Sequence, residues 1–226
     1  MNGHGSESDV PLIRERTRCS GNTKGMVSYG ATVANDSELR LCGDVQGKRV
    51  LELGIGAPSN AVSFALQGAR SMAVDPSPEK IAELRRQAEQ AEVTVQCHIG
   101  DLADLGFATS ASVDLVVAAN TLSDVDDLSR LLRQVHRVLK PGAPFIISTV
   151  HPVAAMFSAS GPTLQQAQQT VHNSYGASPS RSMSDLYMTF QRTNFHVDTM
   201  HELHATTART AMWPAVLLLR VRKLGD

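Results

Sequence analysis

Between residues 49 and 150, short apolar runs alternate with segments of helical period, and that alternation permits few architectures. Arg49-Val-Leu-Glu-Leu53 reads as a strand, followed by a glycine turn and a helix over residues 59–67. Ser71-Met-Ala-Val-Asp75 reads as a second strand, and Pro78 opens a helix to about residue 91 with Ile81, Leu84 and Ala88 on one face. Residues 93–99 and 113–118 predict two further strands. A helix over 126–139 lines up Leu128, Leu131, Leu132, Val135 and Val138 before Lys140-Pro-Gly142 stops it. Residues 143–150 complete the run as a fifth strand. Strands that alternate with helices in this way form a parallel sheet covered on both faces. The fold class expected is therefore α/β.

Outside that run the pattern changes. Residues 1–10 are small and polar and predict a loose tail. Residues 26–42 mix apolar and polar positions at roughly helical spacing, which predicts an N-terminal helix. Residues 152–182 lose periodicity and contain the run Leu164-Gln-Gln-Ala-Gln-Gln169, as a lid, a substrate-side insertion or a surface loop would. A short helix near 185–192 and strands over 195–202 and 213–222 follow. Two strands joined without a helix predict an antiparallel hairpin that closes the sheet.

The chain has 226 residues, enough for one α/β domain over residues 11–226 and little more. Its 21 Lys and Arg against 22 Asp and Glu leave a formal net charge of -1, without the basic excess of a nucleic-acid binder. Apolar stretches such as 115–119 and 215–219 are far too short to span a membrane. Cys19, Cys42 and Cys97 are widely spaced, and the N-terminal residues have no basic-then-apolar signal pattern. The expectation is a soluble, cytoplasmic protein, with nucleic acid disfavoured as a partner.

Three features carry chemistry. Gly54 and Gly56 in Val50-Leu-Glu-Leu-Gly-Ile-Gly-Ala-Pro58 let the backbone turn tightly and let a ligand approach, or they merely pack strand on helix. The helix that follows offers N–H groups to a negative group. Asp75 ends the second strand about 20 residues on, where a carboxylate accepts ribose hydroxyls or caps the next helix. Asp101 in Gly100-Asp-Leu102 follows the third strand, placed either to accept an adenine amine between Leu102 and Ile99 or to make a turn.

Taken in order, Val50-Leu-Glu-Leu-Gly-Ile-Gly56, Ala73-Val-Asp-Pro-Ser77, Gly100-Asp-Leu102, Val113-Asp-Leu-Val-Val-Ala-Ala-Asn120 and Leu132-Arg-Gln-Val-His-Arg-Val-Leu-Lys-Pro-Gly142 resemble the class I S-adenosylmethionine (SAM)-dependent methyltransferases. The likeness is greatest to small-molecule enzymes of the ubiquinone- and menaquinone-biosynthesis type. It implies a Rossmann-like three-layer α/β/α sandwich, with a seven-stranded, mostly parallel sheet containing one antiparallel strand. SAM would be the cofactor, lying over the strand tips, and a small molecule the methyl acceptor.

By the same resemblance, Gly54 and Gly56 line the methionine end and Glu52 is linked to its ammonium through the turn. Asp75, beside Pro76, takes the ribose; Asp101 and Leu102 take the adenine. Ala119 and Asn120 flank the sulfonium, and Tyr29 either covers the cofactor or is a packing tyrosine. Pro58 stands where the family commonly has a third glycine. It suits the first helical position, but it removes a backbone donor and predicts an altered hold on the methionine carboxylate.

His151, in Thr149-Val-His-Pro152 at the tip of the fifth strand, is the candidate general base, or a histidine that hydrogen-bonds its own loop. His172, Tyr175, His201 and His204 are weaker candidates, and the scattered histidines lack metal-site spacing. Two competing readings remain. A nicotinamide dehydrogenase also uses a glycine turn and a strand-tip acid, but Ser59 stands where its third glycine belongs. A non-catalytic SAM-binding protein uses the same fold without transferring methyl.

Overall fold

A computed structural model of the protein describes residues 25–30, 32–123, 125–157, 173–177, 181–206 and 213–225. The expected tail at 1–10, the glutamine-rich run at 164–169 and His172 lie outside the described residues.

Seven strands form one sheet: β1 (Arg49–Leu53), β2 (Arg70–Asp75), β3 (Val95–Ile99), β4 (Leu115–Ala119), β5 (Pro144–Val150), β6 (Phe195–Leu203) and β7 (Val216–Lys223). Their spatial order is β3-β2-β1-β4-β5-β7-β6. The first five pair in parallel, as with Leu51 opposite both Met72 and Val116. β7 runs antiparallel to both neighbours, so it is the one reversed strand. Strand order changes direction between β1 and β4, and at such a switch point an open α/β sheet leaves a crevice beyond its carboxyl ends.

Helices cover both faces. Leu51, Met72, Val116, Phe145 and Ile147 of one face pack on Leu131, Leu132 and Val135 of α4 (Leu128–Val138) and Leu186 and Phe190 of α5 (Met183–Arg192). On the opposite face Val50, Leu115, Val117 and Ile146 meet Phe64 of α2 (Asn60–Leu66). Ala73, on the same side, meets Ile81 and Leu84 of α3 (Pro78–Gln90). These are the three layers that the alternation predicts. Each helix start is locally coded, with Ser59, Ser77, Asp127 and Ser182 as N-caps. None of the described helices is long and apolar enough to cross a membrane.

The N-terminal segment corrects the expectation of a helix over residues 26–42. Only one turn forms, α1 (Asp36–Leu39), between an Asn35 N-cap and Arg40 at φ 53°. Asp36 Oδ1 accepts from the Tyr29 hydroxyl (2.6 Å), Leu41 N (2.7 Å) and Cys42 N (3.2 Å), and these bonds compete with a helical ladder. The apolar residues serve burial instead. Val27, Tyr29, Leu41 and Val45 lie against the sheet face of β1 and β4 as an irregular strap.

The expected lid at 152–182 is described only at its base. A 3₁₀ turn (Ala154–Met156) follows β5. Asn173 N donates to Met156 O (3.3 Å) and its Nδ2 donates to Ala155 O (3.0 Å), so the chain leaves and returns at one place.

Candidate active site

A cavity of about 770 Å³ opens over the carboxyl ends of β1, β2 and β4, at the switch point. That volume falls within the ordinary range for a small-molecule site. Gly54 and Gly56 form its floor, with Asp75 and Pro76 beyond β2, Asp101 and Leu102 beyond β3, and Ala119 and Asn120 beyond β4. One crevice therefore gathers the three carrier motifs.

The floor depends on Gly54. Its φ is +71°, and a Cβ there would stand 2.4 Å from Thr121 Cβ. Thr121 is in turn fastened, its hydroxyl donating to Leu53 O. Gly54 N donates to Val74 O (2.9 Å), joining the turn to the neighbouring strand. Asn120, also at positive φ, donates through Nδ2 to Tyr29 O (2.9 Å), which ties the N-terminal strap to the cavity wall. Ser28 and Gly30 of that strap join the lining.

Asp75 is 2% exposed. Its Oδ2 accepts from Ile55 N (2.8 Å) and from Lys80 Nζ (3.3 Å), and its Oδ1 accepts from Ser77 N (2.8 Å). Ser77, not Asp75, caps α3. The carboxylate knits the turns after β1 and β2 together while facing the cavity. Asp101 is open by contrast: Oδ1 accepts from Ala103 N (2.9 Å), and Arg130 Nη1 stands 3.8 Å from Oδ2.

Several residues from the sequence reading stand elsewhere. Glu52 is fully buried and does not line the cavity. Its carboxylate accepts from the Ser59 hydroxyl (2.7 Å), Asn60 N (2.9 Å) and Ala61 N (2.8 Å). It thereby fills the N-terminus of α2, whose N–H groups sequence reasoning assigned to a ligand. Burial pushes the Glu52 carboxyl upward, while those donors pull the other way and favour the ionised form. Pro58 does line the cavity, but it precedes the Ser59 cap, so it stands outside the helix and takes no donor from its first turn.

Tyr29 also departs from its expected place. It is fully buried in the core with its hydroxyl on Asp36, so its ring does not cover the cavity. Ile99 is 56% exposed and outside the lining. His151 is buried, and both ring nitrogens are engaged: Nδ1 accepts from Val153 N (3.2 Å), which leaves Nε2 to donate to Glu202 Oε1 (2.9 Å). It ties the tip of β5 to β6 and does not line the cavity.

Sequence reasoning missed Ser28, Gly30, Lys80, Thr121, Val125, Asp126, Asp127 and Arg130, all of which line the cavity. Lys80 and Arg130 carried a signal. Each stands in the first turn of a helix, where a cation is unfavourable to the dipole unless a partner holds it.

A family model described as "Methyltransferase domain" matches residues 51–147. A ubiquinone biosynthesis O-methyltransferase of Xanthomonas oryzae is 31% identical over 115 residues, 51% of this chain and 48% of that protein. The match thus spans about half the length of the curated relatives. A SAM-dependent methyltransferase structure from Mesorhizobium loti superposes with a TM-score of 0.68 at 24% identity, covering 83% of this chain and 96% of that one. Another from Aquifex aeolicus gives 0.63 at 14%, covering 84% and 89%. At these identities the structures speak for the fold alone. The sheet order with its single reversed strand and the match across the glycine turn agree: residues 51–147 are similar to a methyltransferase domain, on a fold shared with SAM-dependent methyltransferase structures.

Proposed function

We propose that this protein binds SAM in the cavity over β1, β2 and β4 and transfers its methyl group to a small-molecule acceptor. The observation that carries the reading is the filled N-terminus of α2. A dinucleotide places its pyrophosphate on such a helix end. Here the Glu52 carboxylate already takes the Asn60 and Ala61 N–H groups. A second anion would find those N–H groups already taken. The cavity rim is also acidic, with Asp75, Asp101, Asp126 and Asp127 against Lys80 and Arg130. That balance suits a ligand with a cationic centre and disfavours a nicotinamide dinucleotide.

The residues fit the parts of SAM in turn. Gly54 and Gly56 let the methionine end approach the backbone without a Cβ in the way. Asp75 accepts the ribose hydroxyls, and Asp101 accepts the adenine amine between the apolar surfaces of Pro76 and Leu102. Ala119 and Asn120 flank the reacting end. When bound, SAM supplies an electrophilic methyl group for direct displacement, a step that needs alignment more than covalent help. Among the described lining residues, the ionisable side chains are Asp, Lys and Arg. Their work is to bind and align, and His151, with both nitrogens engaged, has no part in the reading. Oxygen acceptors are the first class to screen, because the curated relatives are named O-methyltransferases. A cytoplasmic setting belongs to the same proposal.

Calorimetry on the purified protein tests the reading. SAM and S-adenosylhomocysteine should bind saturably in the micromolar range or tighter, and NADH and NADPH should not. Saturable NADH or NADPH binding with none for SAM would sink it. Formation of S-adenosylhomocysteine across an acceptor panel then separates an enzyme from a binding protein of the same fold.

Asp75→Ala gives a sharper prediction. Loss of a charge-assisted hydrogen bond costs about 1.5–3 kcal/mol, so SAM should bind roughly tenfold more weakly or worse. Stability should fall as well, since Ile55 N and Ser77 N lose their acceptor. Unchanged affinity with lowered stability would reduce Asp75 to a clamp between two turns.

A further inference from the structure

We propose that Lys80 is a displaceable occupant of the ribose position, whose ammonium holds Asp75 until the cofactor's diol replaces it. The inference rests on the reading of the cavity as a SAM site and adds a residue that competes with that ligand.

The argument starts from acceptor capacity. An ionised carboxylate offers about four lone-pair sites, two on each oxygen. Asp75 Oδ2 already takes Ile55 N at 2.8 Å and Lys80 Nζ at 3.3 Å, which fills it. Oδ1 takes only Ser77 N, at 2.8 Å, and has one site left. A ribose presents two neighbouring hydroxyls, and a carboxylate receives them best with one on each oxygen. As the protein stands, Oδ2 has no room for the second hydroxyl.

One of the three donors must therefore leave, and they are not equally free. Ile55 N and Ser77 N are backbone groups of the turns that shape the cavity, and neither can withdraw without moving the floor. The Lys80 ammonium sits on a flexible four-carbon stem, its side chain is 54% exposed, and it makes the longest of the three bonds. Its position also works against it, since a cation in the first turn of α3 opposes the helix dipole. Once Lys80 swings into water, each carboxylate oxygen has one open site, which is what a diol needs. Asp101 requires no such exchange. Its carboxylate is 60% exposed and only Ala103 N is within hydrogen-bonding distance, so an adenine amine finds it ready.

In the unliganded protein the ion pair keeps the Asp75 charge from facing the cavity alone. Removing the lysine removes the competitor, so the structure assigns Lys80 an effect opposite in sign to that of a contact residue.

Calorimetry with S-adenosylhomocysteine tests this, because that probe has the diol but no sulfonium charge. Lys80→Met and Lys80→Gln should each bind it about two- to fivefold more tightly than the wild type at low salt, the scale of a partly exposed ion pair. Salt screens the pair that the wild type must break, so raising ionic strength should bring the wild type toward the variants. Weaker or equal binding by both variants would overturn the proposal and make Lys80 a direct contact or a bystander. A gap that salt leaves unchanged would also overturn it. If the wild type binds neither S-adenosylhomocysteine nor SAM, the reading of the cavity itself fails.

Discussion

Gly54→Ala should lower the stability of this protein by about 2–4 kcal/mol and abolish measurable SAM binding. Two costs combine. The residue sits at φ +71°, a conformation an L side chain enters at a penalty. Its new methyl would also stand 2.4 Å from Thr121 Cβ, well inside contact distance. Thr121 has nowhere to go without breaking its bond to Leu53 O. The strain is relieved only by moving the turn, and the turn is the floor of the cavity. Gly56→Ala is the useful contrast, because its Cβ would meet only Pro58 O at 3.5 Å and Ala119 O at 3.6 Å. It should fold nearly as the wild type does and show its effect on ligand affinity. Denaturant unfolding and calorimetry read both variants. If Gly54→Ala matches the wild type in both, the turn is not the constraint described here. A second change, Thr121→Gly, should restore part of the stability that Gly54→Ala loses, as expected for side chains in direct conflict.

Glu52→Ala should be at least as damaging to stability, at about 3–5 kcal/mol, the usual cost of stripping one partner from a buried charged network. The carboxylate is the sole acceptor given to Asn60 N, and it also binds Ala61 N and the Ser59 hydroxyl. All three donors are buried; Asn60 N would be left bare, at about 1–3 kcal/mol, while Ala61 N would keep only its longer bond to the Ser59 hydroxyl (3.2 Å). A domain of ordinary stability would lose a large part of its margin. Glu52→Gln should fall between the two, since its amide keeps one acceptor oxygen but turns an NH2 group toward donors. Thermal or urea unfolding decides the matter. Wild-type stability in Glu52→Ala would mean that water replaces the carboxylate at the start of α2. The same result would remove the main argument against a pyrophosphate ligand.

Much of this architecture is legible in the sequence. The strands from β1 to β5 and the helices α2 to α4 came out with their order right and their ends within a few residues. Periodicity is a local property that burial on one face or two imposes directly. The stop at Lys140-Pro-Gly142 and the serine and aspartate caps were equally readable. The glycine turn with its two acidic strand tips also announced one crevice, because a parallel sheet brings the ends of adjacent strands together.

What failed to show was whatever depends on which side chains bond to one another, near in the chain or far, because hydropathy period does not encode those pairings. Residues 26–42 have helical spacing, yet Asp36 gathers Tyr29, Leu41 and Cys42 into a knot, and the apolar residues bury as a strap. For Tyr29 and His151 position leaves a site role and a structural role both open. Burial and their bonds to Asp36 and Glu202 assigned them to the framework. The resemblance links Glu52 to the methionine ammonium through the turn; the fold sets its carboxylate on the start of α2, the helix end that a ligand was expected to use.

Between residues 49 and 150 the sequence by itself determined which segments are strand or helix and their order along the chain, and it marked the turn that glycine permits at position 54. These follow from short-range sterics and one-sided burial. The tertiary structure alone decided which donors each carboxylate meets, and so which acids face the cavity with capacity to spare. Hydrogen-bond partners such as Asp75 with Ile55, or Asn120 with Tyr29, are 20 and 91 residues apart. No local pattern encodes such a pairing, because it exists only once the sheet has closed.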